Sequence, residues 1–158
     1  MSGETKRVVL EWREQLVFQG GEPNGPVTVI DGDNAAAPGP MLTLLLAAAA
    51  CTGADVVVIL QKMRVPPRSL RIEASGVRRE TEPRRYLSVH FDFQVTADGL
   101  DEARVRRAVD LSLTKYCSVI NSLAPVQAAA ASRRVSIGPG AAALSPSITV
   151  IGPPGSPP

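Results

Sequence analysis

The chain has 158 residues, 44% hydrophobic and 20% charged, with a formal net charge of +2. That length suits one domain whose core needs no disulfide or metal staples. The charge is small and scattered, which argues against a nucleic-acid partner, and aromatics at 4% leave the core to aliphatic side chains.

Met1–Trp12 carries no apolar stretch of the kind a secretory signal needs. Two cysteines in a chain read as unexported point to a reducing, cytoplasmic setting without a permanent structural disulfide. Residues 7–12 (RVVLEW) and 15–18 (QLVF) read as two short strands around Arg13-Glu14. Residues 27–30 (VTVI) read as a third, after the Gly-, Pro- and Asn-rich turn 19–26. The loop 31–40 ends at Pro40, which suits a first helical position because its missing N–H costs nothing there.

From Pro40 the pattern predicts a helix to Met63 or Arg64, stopped by Val65-Pro66-Pro67. Met41–Leu60 spans twenty residues with Asp55 as its single charge, enough by length to cross a membrane. Asp55, Gly53 and the four alanines 47–50 favour the other reading, a core helix of a soluble protein with no membrane partner. A helix apolar all round is expected to be buried on all sides.

Two alternating runs follow, 69–79 and 86–96, joined by ETEPR at 80–84; they predict a long antiparallel hairpin. In the second run Leu87, Val89, Phe91, Phe93 and Val95 face inward, while Ser88, His90, Asp92, Gln94 and Thr96 face outward. Gly99 ends that strand, and Asp101 caps a helix running to about Ser112. A second helical segment, Thr114–Leu123, carries Cys117. A strand is expected at 133–137 and a short one at 148–151. The domain reading is therefore 1–138, with a Gly-, Ala-, Ser- and Pro-rich tail over 139–158.

The chain has no GxGxxG, Walker loop, HExxH or Gly-x-Ser-x-Gly, so its candidate chemistry rests on Cys51 and Cys117. One reading makes both small buried hydrophobes. The other makes them reactive, which requires a cation, hydrogen-bond donors or a helix N-terminus to stabilise a thiolate. Cys51 lies deep in its helix, and Asp55 one turn on opposes a thiolate there, so an outside Arg is needed. Cys117 is better placed, near a helix start and two residues after Lys115. One histidine and two cysteines do not fill a tetrahedral zinc site from one chain, so the zinc reading is weak.

Pro40-Met41 followed by LLLAAAACTGADVVVILQKMR resembles the signature of the OsmC/Ohr family (osmotically inducible protein C and organic hydroperoxide resistance protein). Leu111–Leu123 (LSLTKYCSVINSL) resembles that family's second cysteine segment, and the likeness covers roughly residues 6 to 138, with the general OsmC-like branch rather than Ohr itself. The resemblance implies an α+β fold built as an intertwined homodimer, two central Cys-bearing helices wrapped by antiparallel sheets. It implies a peroxidase for organic hydroperoxides in oxidative-stress defence, with Cys51 peroxidatic, Cys117 resolving, an external dithiol as reductant, and no metal or bound organic cofactor. In the family an Arg from the N-terminal strands polarises the thiolate, and Arg13 is its candidate here. A Glu just after the helix-start Pro orients that Arg, but Met41, Leu42 and Thr43 offer no carboxylate, leaving Glu11 or Glu14 to substitute. That gap motivates the alternative of a non-catalytic OsmC-like dimer that binds a small hydrophobic ligand or senses oxidation.

Overall fold

The computed structural model describes residues 3–127, 131–137 and 147–148. The chain divides into two units, the first ending at Leu44 and the second beginning at Leu45.

The first unit is an antiparallel sheet in the order β1 (Val9–Glu14), β2 (Val17–Gly21), β3 (Val27–Asp31). The turn falls at Gln15-Leu16, not at Arg13-Glu14 as the pattern suggested. Gln15 takes a left-handed φ of 45°, and an irregularity between Trp12 and Glu14 absorbs the shift in register. Val9, Leu10, Trp12, Val27 and Val29 are all exposed in the isolated chain.

After β3 the buried Asp31 organises the approach to the long helix. Its Oδ1 accepts from the Asp33 amide at 2.9 Å, and its Oδ2 from the amides of Ala35 at 3.0 Å and Ala36 at 2.8 Å. Asn34 Oδ1 accepts from the Gly39 amide at 2.8 Å, just before the helix starts. The Ala36, Asp33 and Ala35 amides together outweigh burial and hold the Asp31 carboxyl below its usual 3.8. A lowered carboxyl stabilises the fold above the ordinary value and ceases to do so as pH falls through the native one. Asp31→Asn is therefore expected to lower Tm by several degrees at pH 7. The gap to wild type should close as pH drops below about 4; a pH-independent gap in calorimetry would contradict the assignment.

Helix α1 (Pro40–Lys62) crosses from the first unit into the second. It ends one to two residues earlier than its pattern suggested, by a Schellman turn rather than by the prolines alone. Arg64 sits at a φ of 61°, its amide bonding Gln61 O at 3.0 Å, and the Val65 amide bonds Leu60 O at 3.0 Å with Val65 buried. Among the described residues α1 alone is long and apolar enough to cross a membrane. Within this one chain it is not buried all round. Leu45, Ala48, Thr52, Val56 and Leu60 form a buried stripe, whereas Leu42, Leu46 and Val58 are exposed.

In the second unit β4 (Ser69–Arg78) and β5 (Tyr86–Thr96) form the expected antiparallel hairpin. β6 (Ala131–Ile137) adds to the other edge of β5 in parallel and pairs with β7 (Ser147–Ile148). The rest of the expected tail lies outside the described residues. Phe91, Phe93 and Val95 are fully buried, as their phase requires, and Val89 is partly buried. Leu87 departs from that phase: it is exposed, and Tyr86 is buried in its place. A register shift between Val77 and Arg78 accompanies the change, and the Tyr86 ring lies over Gly76, where a Cβ would come within 2.5 Å of it. Burial pushes the Tyr86 hydroxyl up, partly offset by Arg78.

Gly99, at a φ of 64°, makes the turn into α2 (Glu102–Leu111), where the Asp101 side chain accepts from the Arg104 amide at 2.8 Å. Val105, Ala108 and Val109 of α2 close the core over β5 together with Ala48, Val56 and Leu60 of α1.

Candidate thiol site

Cys51 and Asp55 stand one helical turn apart on α1, with Thr52 between them on the buried side. Cys117 comes from a different kind of element than expected. α2 passes into a π-helical turn over Ser112–Tyr116, closed by the Cys117 amide bonding Ser112 O at 2.8 Å. Cys117 then leaves helical geometry, at φ −64° and ψ 100°, and α3 (Ser118–Gln127) begins after it. It is the cap of that helix rather than a residue within a helix starting at Thr114. Its carbonyl accepts from the Asn121 amide at 3.0 Å and from Asn121 Nδ2 at 2.8 Å, and its Sγ takes the Ile120 amide.

This places the two free thiols side by side. The Cys51 and Cys117 sulfurs and a carboxylate oxygen of Asp55 all lie within 4.8 Å of one another. Cys117 is fully buried and Cys51 half-buried. The fully buried Thr52 donates from Oγ1 to Cys117 Sγ at 3.4 Å. Burial pushes the Cys117 thiol up; the Thr52 and Ile120 donors act against that, and the neighbouring Cys51 adds to it. The buried Ser112 hydroxyl donates to Asp55 Oδ2 at 2.8 Å and so fixes the carboxylate.

Sequence reasoning found both cysteines and noted Asp55 as a neighbour of Cys51. It missed Thr52 and Ser112. The spacing of Thr52 on α1 was a signal in principle; Ser112 lies 57 residues from Asp55 and left none. Arg13 is an exposed residue of β1, where its guanidinium meets Glu11 at 3.0 Å and Gln19 Oε1 at 3.1 Å. Glu11 is thus the carboxylate that holds Arg13. Lys115, two residues before Cys117, has its ammonium 5.1 Å from the Tyr116 ring centroid.

A half-buried thiol thus stands beside a buried one, on two helical segments of an α+β unit, and the two are not bonded to each other. The chain belongs to the OsmC-like protein family, whose pattern matches residues 31–129. It is 41% identical over 111 residues to Protein YhfA of Escherichia coli K12, covering 70% of this chain and 83% of that one. Its fold is similar to a hypothetical protein from Aquifex aeolicus VF5, at a TM-score of 0.74 and 29% identity, covering 86% of this chain and 99% of that one. It is also similar to the OsmC-like protein of Mycoplasma pneumoniae, at a TM-score of 0.71 and 15% identity over 87% of this chain and 98% of the other. The α+β OsmC-like fold implied by the two cysteine segments is therefore the fold of this chain.

Proposed function

We propose that this protein is a thiol-dependent peroxidase that reduces organic hydroperoxides in bacterial oxidative-stress defence, acting in the cytoplasm as a homodimer. Family membership supports a stress-related redox role. The observation that carries the finer reading is the pairing of a half-buried Cys51 with a fully buried Cys117, sulfurs within 4.8 Å.

The Cys51 thiolate attacks the distal oxygen of the hydroperoxide. The O–O bond breaks, the alkoxide takes a proton and leaves as alcohol, and Cys51 becomes a sulfenic acid. Cys117 arrives as the thiol. Its sulfur displaces the sulfenic oxygen, which leaves as water with the thiol proton, and a disulfide forms. The sulfurs need only close from at most 4.8 Å to the roughly 2.05 Å of an S–S bond. An external dithiol then restores both thiols by exchange. On this reading Arg13, held by Glu11, is the candidate thiolate activator. The test is consumption of cumene hydroperoxide by the reduced protein with a dithiol in excess; no turnover above background with any dithiol would overturn the reading.

The dimer rests on apolar surface that one chain leaves open. A groove of about 540 Å³ on α1 and β4 is lined by Leu46, Ala50, Ala54, Val58, Leu70 and Ile72 among others, and the β1–β3 sheet exposes its own apolar residues. A second copy of α1 is the occupant proposed for the groove. Leu46→Glu would then bury an unpaired carboxylate at a cost of several kcal/mol, raising the dimer dissociation constant by at least roughly a hundredfold. Sedimentation equilibrium checks this; a monomeric wild type would contradict it.

A further inference from the structure

The geometry points to a binding site for a soft divalent cation, of which zinc is the best fit, made by Cys51 Sγ, Cys117 Sγ and an Asp55 carboxylate oxygen. The inference goes beyond the peroxidase reading and does not depend on it.

Three observations converge. The donor atoms come from two separate elements, α1 and the cap of α3, yet all lie within 4.8 Å of one another. A tetrahedral zinc with Zn–S of about 2.3 Å and Zn–O of about 2.0–2.2 Å would draw these atoms in by roughly an ångström. Cys51 and Asp55 are spaced i, i+4 on one helix face, the spacing by which a helix offers two ligands to one ion. Two of the donors are held by groups outside the set, as ligands of a metal are. Ser112 fixes Asp55 at 2.8 Å, while Thr52 and the Ile120 amide fix Cys117.

The polarity agrees. A carboxylate oxygen beside two sulfurs is a mixed oxygen and sulfur donor set of the kind a borderline dication takes. The same three groups around a dication attract it, and each thiol gives up its proton on binding. Cys51 and Asp55 are only half-buried, so solvent can supply the fourth position. A bound ion would occupy both sulfurs, so metal and hydroperoxide would compete for the same thiols.

The test uses the reduced, metal-stripped full-length protein with Co2+ as a spectroscopic probe and Zn2+ as competitor, in the absence of peroxide. One equivalent of Co2+ should give tetrahedral d–d bands and a sulfur-to-cobalt charge-transfer band, both removed by one equivalent of Zn2+. Cys51→Ser should diminish the sulfur band. Asp55→Asn should keep it while weakening Zn2+ binding by at least the roughly 10–100-fold typical of an outer partner. Cys117→Ser should act as Cys51→Ser does; because Cys117 is buried, the half-buried Cys51 decides the matter should that variant unfold. Absence of one-equivalent binding, an octahedral spectrum without the sulfur band, or wild-type binding by both Cys51→Ser and Asp55→Asn would overturn the site. A protein that binds zinc yet never consumes hydroperoxide would fail the peroxidase reading alone.

Discussion

Cys51→Ser is expected to abolish dithiol-dependent hydroperoxide consumption, down to the uncatalysed background. A serine hydroxyl at this position is not ionised, and no other accessible thiol exists in the chain. Cys117→Ser should differ in kind. It leaves the first chemical step intact, so one equivalent of hydroperoxide should still be consumed in a burst, after which turnover falls because no internal thiol completes the disulfide. Stopped-time assay of residual hydroperoxide at sub-stoichiometric and excess substrate separates the two outcomes. A Cys51→Ser protein that retains turnover would remove Cys51 from the chemistry, and a Cys117→Ser protein with neither burst nor turnover would place Cys117 in the first step.

Phe93→Ala is expected to have the largest effect on stability of any single truncation, about 3–5 kcal/mol in urea denaturation. Phe93 is fully buried on β5, paired on one side with Ile72 of β4 and on the other with Val135 of β6. Its ring lies 6.2 Å from that of Phe91, at a 40° tilt. Its removal also takes away that ring contact. The same layer carries Ala48, Val56 and Leu60 of α1, so the variant should also loosen the thiols. A faster reaction of the buried Cys117 with an alkylating reagent would report that; a loss under about 1 kcal/mol would mean the core collapses around the gap.

Much of the fold was legible because it is written in short-range patterns. The period-2 run over 86–96 placed Phe91, Phe93 and Val95 inside, and Asp101 capped the helix its side chain suggested. What failed depended on distant partners. Leu87 is exposed because the register shift at Val77 and the ring of Tyr86 over Gly76 override the phase at that end. The parallel pairing of β6 with β5 needs the whole α2–α3 crossover, which no local pattern encodes. α1 is apolar on every side, yet only a stripe of it is buried in this chain, since periodicity records what is apolar and not what is covered.

The site divides in the same way. The two cysteine segments could be read from residue type and order. The π-helical turn that makes Cys117 a helix cap could not, because its extra backbone residue per turn has no side-chain signature over Ser112–Tyr116. Without that turn the partnership of Asp55 with Ser112, and of Thr52 with Cys117, is invisible.

In the proposed reaction Cys51 Sγ is the atom oxidised by hydroperoxide, and Cys117 is the thiol that answers it. Mass spectrometry of the thiols after one equivalent of organic hydroperoxide, in wild type and in Cys117→Ala, tests it directly. The expected products are a Cys51–Cys117 disulfide in the first protein and a trapped sulfenic acid at Cys51 in the second. Reduced thiols in both proteins, or oxidation at Cys117 ahead of Cys51 in the wild type, would contradict it.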